Sequence, residues 1–207
     1  MFQGKIFCIG RNKTGTTSIE RALADMGYRL GNQRQGELLV DDWARRDFRR
    51  IVELARTADA FQDMPFSLPF TYQALDAAFP GSKFVLTVRD SPRDWYDSMI
   101  RFHSRIVGKS MPPRPDELKA FNYIEPGRLW KNHQLVYGIT EETLYDRELY
   151  MRHYAVHLIN VIDYFRFRPG QFLLVNLREP DAMRRLCSFL GVDFTGQAMP
   201  HLNRTLG

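Results

Sequence analysis

Lys5-Ile6-Phe7-Cys8-Ile9-Gly10 leads into Arg11-Asn12-Lys13-Thr14-Gly15-Thr16-Thr17, and Ser18 then opens a segment with Ile19, Ala22, Leu23 and Met26 at helical spacing before Gly27. The apolar run is short and continuous, the pattern of a strand buried on both faces. The spacing after Ser18 predicts a helix to about Met26, closed by Gly27. A strand that meets a helix start across such a loop turns free backbone N–H groups, and the positive end of the helix dipole, toward an anion. Gly10 and Gly15 permit the tight turn and the close approach. Thr14, Thr16, Thr17 and Ser18 add hydroxyl donors, and Lys13 adds a mobile positive charge. The Walker arrangement G-x-x-x-x-G-K-[ST] places lysine after the second glycine; here Lys13 precedes Gly15 by two residues, so it approaches from within the loop. A capped Gly/Thr-rich turn uses similar residue types. The strand before, the helix after and the lysine within point together to phosphate binding.

Outward from this loop the chain alternates. Asp59-Ala60-Phe61-Gln62-Asp63 reads as a short strand ending at Met64-Pro65. Residues 67–78 read as a helix closed by Phe79-Pro80-Gly81, and Lys83-Phe84-Val85-Leu86-Thr87-Val88 is the clearest strand of all, continuous and rich in β-branched residues. Ser91-Pro92 opens a helix carrying Trp95, Met99, Ile100 and His103, with Asp94 complementing its dipole. A long helix is expected over about 146–167, a strand over Phe172-Leu173-Leu174-Val175, and a helix over about 180–190 ending at Gly191. Residues 36–57 look helical with one apolar stripe, and 107–145 are the least regular part. Short apolar strands alternating with helices predict an α/β fold of three layers, with a mostly parallel central sheet flanked by helices. Ligands of such sheets bind beyond the carboxyl ends of the strands. One domain over 1–207 is expected, with 107–145 covering an acceptor site as a lid or forming an interface.

Composition sets the outer bounds. With 207 residues, 44% of them hydrophobic, the chain can bury a core, and disorder is not the expectation. The net charge of +5 on its own favours an ordinary solvated surface over the sharper alternative, a partner with phosphate or sulfate groups. The basic residues are dispersed among acidic ones, so nucleic-acid binding is not expected. Cys8 and Cys187 both lie in apolar surroundings and offer neither a disulfide framework nor metal-ligand spacing. No metal site is expected. No stretch reads as a signal peptide or a membrane span, and a cytoplasmic setting is the expectation.

A second anion contact follows the central strand. Arg89, in Val88-Arg89-Asp90-Ser91-Pro92, leaves the strand at the ligand edge, and Ser98 follows nine residues later. A guanidinium there can fork a terminal phosphate and a serine can donate to the same group; Arg89 paired with Asp90, Asp94 or Asp97 at the surface is the plainer alternative.

Taken together these residues resemble the sulfotransferase family, in particular its short bacterial-type members, over nearly the whole chain. Lys13-Thr14-Gly15-Thr16-Thr17-Ser18 looks like the family's 5′-phosphosulfate loop. Phe79 to Asp90 looks like its 3′-phosphate strand, and Trp95-Tyr96-Asp97-Ser98 like the start of the following helix. Leu186-Cys187-Ser188-Phe189-Leu190-Gly191 and Pro200-His201-Leu202-Asn203 resemble its C-terminal pattern. The resemblance implies a P-loop-like fold and transfer of a sulfuryl group from 3′-phosphoadenosine 5′-phosphosulfate, without a metal, to a hydroxyl or amine of a small-molecule or carbohydrate acceptor. It implies a donor site made of Arg11, Asn12, Lys13, Thr14, Gly15, Thr16, Thr17 and Ser18 with Arg89 and Ser98. Many members space that arginine and serine by eight residues rather than nine. The Arg-Lys-Gly loop of cytosolic small-molecule members is absent, with Arg204 as its stand-in.

Sulfuryl transfer makes the demands of phosphoryl transfer: in-line positioning and stabilisation of charge on the leaving phosphate. Lys13, the loop N–H groups and Thr17 suit that role. A hydroxyl or amine acceptor needs a base. Asp63, at the end of the second strand, is the first choice and His103 the second; capping of the following helix is the alternative for Asp63, and packing for His103. Phe121, Tyr123, Trp130, His133 and Tyr137 can stack on an acceptor ring or simply pack their segment onto the core. A small-molecule kinase and a non-catalytic nucleotide-binding protein of the same fold are the competing functions.

Overall fold

A computed structural model describes residues 2–108 and 110–200. Arg204, and the end of the C-terminal pattern at His201-Leu202-Asn203, lie outside the described residues. In chain order the elements are β1 (Ile6–Cys8), α1 (Thr16–Asp25), α2 (Gln33–Glu37), α3 (Val40–Ala44), α4 (Arg49–Ala55), β2 (Ala60–Phe61), α5 (Thr71–Ala78) and β3 (Lys83–Val88). They continue with α6 (Pro92–Val107), α7 (Pro115–Ala120), α8 (Arg128–Tyr137), α9 (Arg147–Phe165), β4 (Phe172–Asn176) and α10 (Ala182–Leu190). The chain divides into two compact units, one of residues up to 89 and from 158 onward, the other of 90–157.

The first unit holds the sheet, four strands in the order β2-β1-β3-β4, all parallel. Its register explains its core. Phe7 pairs with Phe61 on one side and with Phe84 on the other, and Phe84 pairs with Phe172. Side chains at matched register share a face, so these four rings form a row across the sheet. Phe7 lies 5.9 Å from Phe61 and 5.5 Å from Phe84, and Phe165 of α9 is 4.7 Å from Phe84 and 5.1 Å from Phe172. The alternate positions Ile6, Cys8, Val85 and Val175 point to the opposite face. There they pack with Ile19, Ala22 and Leu23 of α1 and with Ala182, Leu186 and Leu190 of α10. Two buried faces and helices on each give the three layers, as the strand pattern predicts. Because every strand is parallel, the ends of β1, β2 and β3 open on one edge, which gathers the Gly10 loop, Asp63 and Arg89 there.

Three details differ from the sequence reading. The helical stretch expected over 36–57 is three short helices. Arg46 takes a left-handed φ of 60°, and Asp47 uses its carboxylate on the Arg49 N–H at 3.2 Å, a local bond that competes with helix continuation. The helix expected from residue 67 begins at Thr71, after a series of turns and a left-handed Phe70 (φ 68°). In the second unit, the stretch read as irregular contains α7, opened by Pro115, and α8, bracketed by left-handed Gly127 and Gly138. No described helix is long and apolar enough to cross a membrane.

Candidate functional site

The loop between β1 and α1 is held in its curve from the inside. Thr14 is buried, and its hydroxyl meets the Arg11 carbonyl and the Thr87 hydroxyl, both at 2.6 Å. Thr14 is thus a brace tying the loop to β3. Gly10 shows how tight that seat is: a Cβ there would stand 2.1 Å from Thr87 Oγ1 and 2.5 Å from the Thr87 carbonyl oxygen. Gly15 precedes α1 with φ 103°, and its missing side chain would meet Leu177 Cδ1 at 2.7 Å. Lys13 itself is left-handed, φ 67°. The Ser18 and Ile19 N–H groups bond back to the Gly15 carbonyl, which starts α1 at Thr16 and turns the positive end of its dipole toward the loop. Thr17 is exposed at the loop surface, while Thr16 and Ser18 are buried.

Arg89 leaves β3 and donates from Nε to the Lys13 carbonyl at 2.6 Å. The predicted arginine therefore sits against the loop itself. Arg11 is 4% exposed and donates from Nη1 to the Ser67 carbonyl at 3.4 Å.

Asp63, two residues beyond β2, also arrives at this loop. Thr16 Oγ1 donates to Asp63 Oδ2 at 3.3 Å, and the Met64 N–H donates to Asp63 Oδ1 at 2.8 Å. Its backbone is left-handed, φ 58°. Burial holds the carboxyl above its ordinary range; the Met64 N–H, the Lys13 charge, the Thr16 hydroxyl and the Arg11 charge pull the other way. Glu20, one turn beyond Thr16 on α1, is also raised, by burial and then by the Asp63 charge. The loop thus brings together a carboxylate of raised proton affinity, a lysine and two arginines, a combination suited to anion binding and proton abstraction.

The second unit contains Ser98 and His103, both on α6. Ser98 is half-buried. His103 is 3% exposed and meets the Tyr145 hydroxyl through Nδ1 at 3.0 Å. His133 on α8 does the same with Tyr150 at 2.6 Å, and the two imidazoles stand edge to face at 4.9 Å. Tyr137 stacks on Tyr150 at 4.2 Å. His133 and Tyr137 therefore pack this unit's core, whereas Tyr123 is exposed and Trp130 lies under the Lys119 ammonium at 4.9 Å.

Two contributors escaped the sequence reading: Thr87, the brace for Thr14, and Leu177, the wall behind Gly15. Thr87 had a signal, a hydroxyl set in an otherwise apolar strand; Leu177 had none. Among the described residues no group of three or more His, Cys, Asp or Glu is placed to hold a metal ion.

A family model described as a sulfotransferase domain matches residues 5–206. No curated protein matches the chain.

Proposed function

Since this chain belongs to the sulfotransferase domain family, we propose that it moves a sulfuryl group from 3′-phosphoadenosine 5′-phosphosulfate to a hydroxyl or amine of a small-molecule or carbohydrate acceptor. The observation that carries this reading is the meeting of Lys13, Arg11, Arg89 and Asp63 on one braced loop. The donor fits the residues present: the seats of Gly10 and Gly15 keep side chains out of the cradle, and the surrounding set is cationic and rich in N–H and O–H donors.

When bound, the donor supplies a sulfuryl group whose bond to the 5′-phosphate breaks as the bond to the acceptor atom forms. Lys13, the N–H groups at the start of α1 and the Thr17 hydroxyl would hold the 5′-phosphosulfate end and stabilise charge on the departing phosphate. Arg89 would take the 3′-phosphate through charge-assisted hydrogen bonds. Asp63 would accept the proton of the attacking hydroxyl or amine. Its raised proton affinity makes it a stronger base than an ordinary carboxylate, and Thr16 and Met64 aim it by using one donor on each oxygen. His103, buried and engaged with Tyr145, is the second choice for this role.

The test is calorimetric titration with adenosine 3′,5′-bisphosphate in EDTA, beside ATP with magnesium. Binding of the bisphosphate without metal, lost in Arg89→Ala, is the expected outcome. Preference for magnesium–ATP would overturn the reading in favour of a kinase.

A further inference from the structure

The long helix α9 is apolar on two opposite sides. One side carries Tyr150, Tyr154, Val161 and Phe165, all buried. On the other, Val156 and Ile159 stand in solvent, 47% and 64% exposed. An apolar residue alone on a surface is ordinary. A helix with apolar residues on both sides is normally covered on both, and the described residues leave this second side bare.

The charges beside that pair say what fits it. At about 100° per residue, Arg152, Val156, Ile159 and Asp163 fall within an arc of about 60°. All four lie on one continuous helix, so their relative placement follows from helix geometry alone. Arg152 precedes Val156 by four residues and Asp163 follows Ile159 by four, both charged side chains being exposed. The face thus reads basic, apolar, apolar, acidic, centred between His157 and Leu158. Turned end for end, it reads acidic, apolar, apolar, basic. Two copies laid antiparallel about that centre set Arg152 of each level with Asp163 of the other, and Val156 level with Ile159. Asp163 already pairs with Arg166 Nη1 of its own copy at 3.1 Å. A second guanidinium would make this a small charge network, which holds better than an isolated surface pair.

We infer that this face of α9 is the interface of a homodimer, in which two copies pack α9 on α9, antiparallel, about a two-fold axis near His157 and Leu158. The interface is isologous: one patch serves both copies. It uses no residue of the loop site, so it stands apart from the sulfuryl-transfer reading. Charge selects both the occupant and its direction. A parallel pairing would set Arg152 on Arg152 and Asp163 on Asp163, like against like. A lipid surface favours a helix with a basic polar face and large apolar anchors, and here an acidic residue flanks two β-branched ones. A single helix pair lies at the small end of specific interfaces, so the dimer should have a dissociation constant of about 10–100 µM.

The experiment is sedimentation equilibrium of the full chain from about 5 to 500 µM, a range that brackets the expected constant. The variants are Arg152→Asp, Asp163→Arg, the double variant carrying both, and Ile159→Glu. The wild type is expected to dimerise. Each single charge reversal sets like charges against each other twice, and Ile159→Glu buries two carboxylates. All three should weaken dimerisation by at least about tenfold. The double variant exchanges the two roles and should dimerise as the wild type does. An equimolar mixture of Arg152→Asp and Asp163→Arg should dimerise as well, because each copy supplies the charge that the other lacks. That recovery also shows that neither variant failed by misfolding. A wild type that stays monomeric over the whole range overturns the interface, and so does a dimer that persists in the single variants. A mixture that stays monomeric overturns the antiparallel pairing. Monomeric wild type that sediments with phosphatidylcholine vesicles, unlike Ile159→Glu, would give the face to a lipid surface instead.

Discussion

In the proposed reaction Asp63 concentrates the chemistry and the cost of the site in one side chain. Its carboxyl is held above the ordinary value of 3.8, chiefly by burial. As a base it works only when ionised, so turnover should fall as pH drops through the raised value, and Asp63→Asn should lower kcat by about 10²-fold or more. The same shift has a consequence for stability. A carboxyl whose folded pKa lies above its unfolded pKa favours the folded state most when protonated. Its favourable contribution is complete below 3.8 and is lost as pH rises through the folded value. Asp63→Asn should therefore melt at a higher temperature than the wild type at neutral pH, with the difference shrinking in acid below the ordinary carboxyl range. Melting curves of both proteins across pH check this; a variant less stable than the wild type at pH 7 would mean that the Lys13 and Arg11 charges outweigh burial at this site.

At the scale of elements, the loop between β1 and α1 depends on two glycines for different reasons, and the two should fail differently. At Gly10 the space belongs to the backbone of β3: a Cβ would stand 2.7 Å from the Thr87 amide nitrogen and 2.5 Å from its carbonyl oxygen. Backbone in a central strand cannot retreat, so Gly10→Ala should prevent accumulation of folded protein. At Gly15 the obstruction is one methyl of Leu177, at the flexible end of a side chain, and the left-handed φ of 103° adds strain of about 1–2 kcal/mol for any other residue. Gly15→Ala should fold, melt lower, and bind the bisphosphate weakly, because the loop's N–H groups shift with it. Circular dichroism and calorimetry on the two variants separate these outcomes. The short helices α2 to α4 make a related point. A charged stretch with one apolar stripe is compatible with one long helix, yet Arg46 and Asp47 break it, and the turn between α3 and α4 stacks the Arg46 guanidinium over Trp43 and Phe70 at 5.1 and 4.3 Å.

For the molecule as a whole, ligand binding should be read as stability. A ligand at a hundred times its dissociation constant adds about 2.7 kcal/mol to the folded state. In a chain of this length that corresponds to a rise of roughly 5–10 °C in melting temperature, expected with adenosine 3′,5′-bisphosphate and absent in Arg89→Ala. Much of the architecture behind this binding was legible without coordinates. The apolar runs at 5–9 and 83–88, the glycines at 10 and 15 and the arginine at 89 are local signals, and they place two strands, a tight turn and a cation at a strand end. Local signals were enough because strand burial, tight turns and helix starts are set by neighbours in sequence. They did not assign the hydroxyls. Thr14, Thr16 and Thr17 are equivalent in the sequence, but the first is bound to Thr87, 73 residues away, the second to Asp63, 47 residues away, and the third is exposed. The packed state of His103 is likewise an outcome of packing. The sequence by itself determined the strands of the sheet, the helix after the first loop and the edge at which Gly10, Asp63 and Arg89 emerge; the tertiary structure alone decided which side chains meet there, because those contacts join residues that only the parallel register of the sheet brings together.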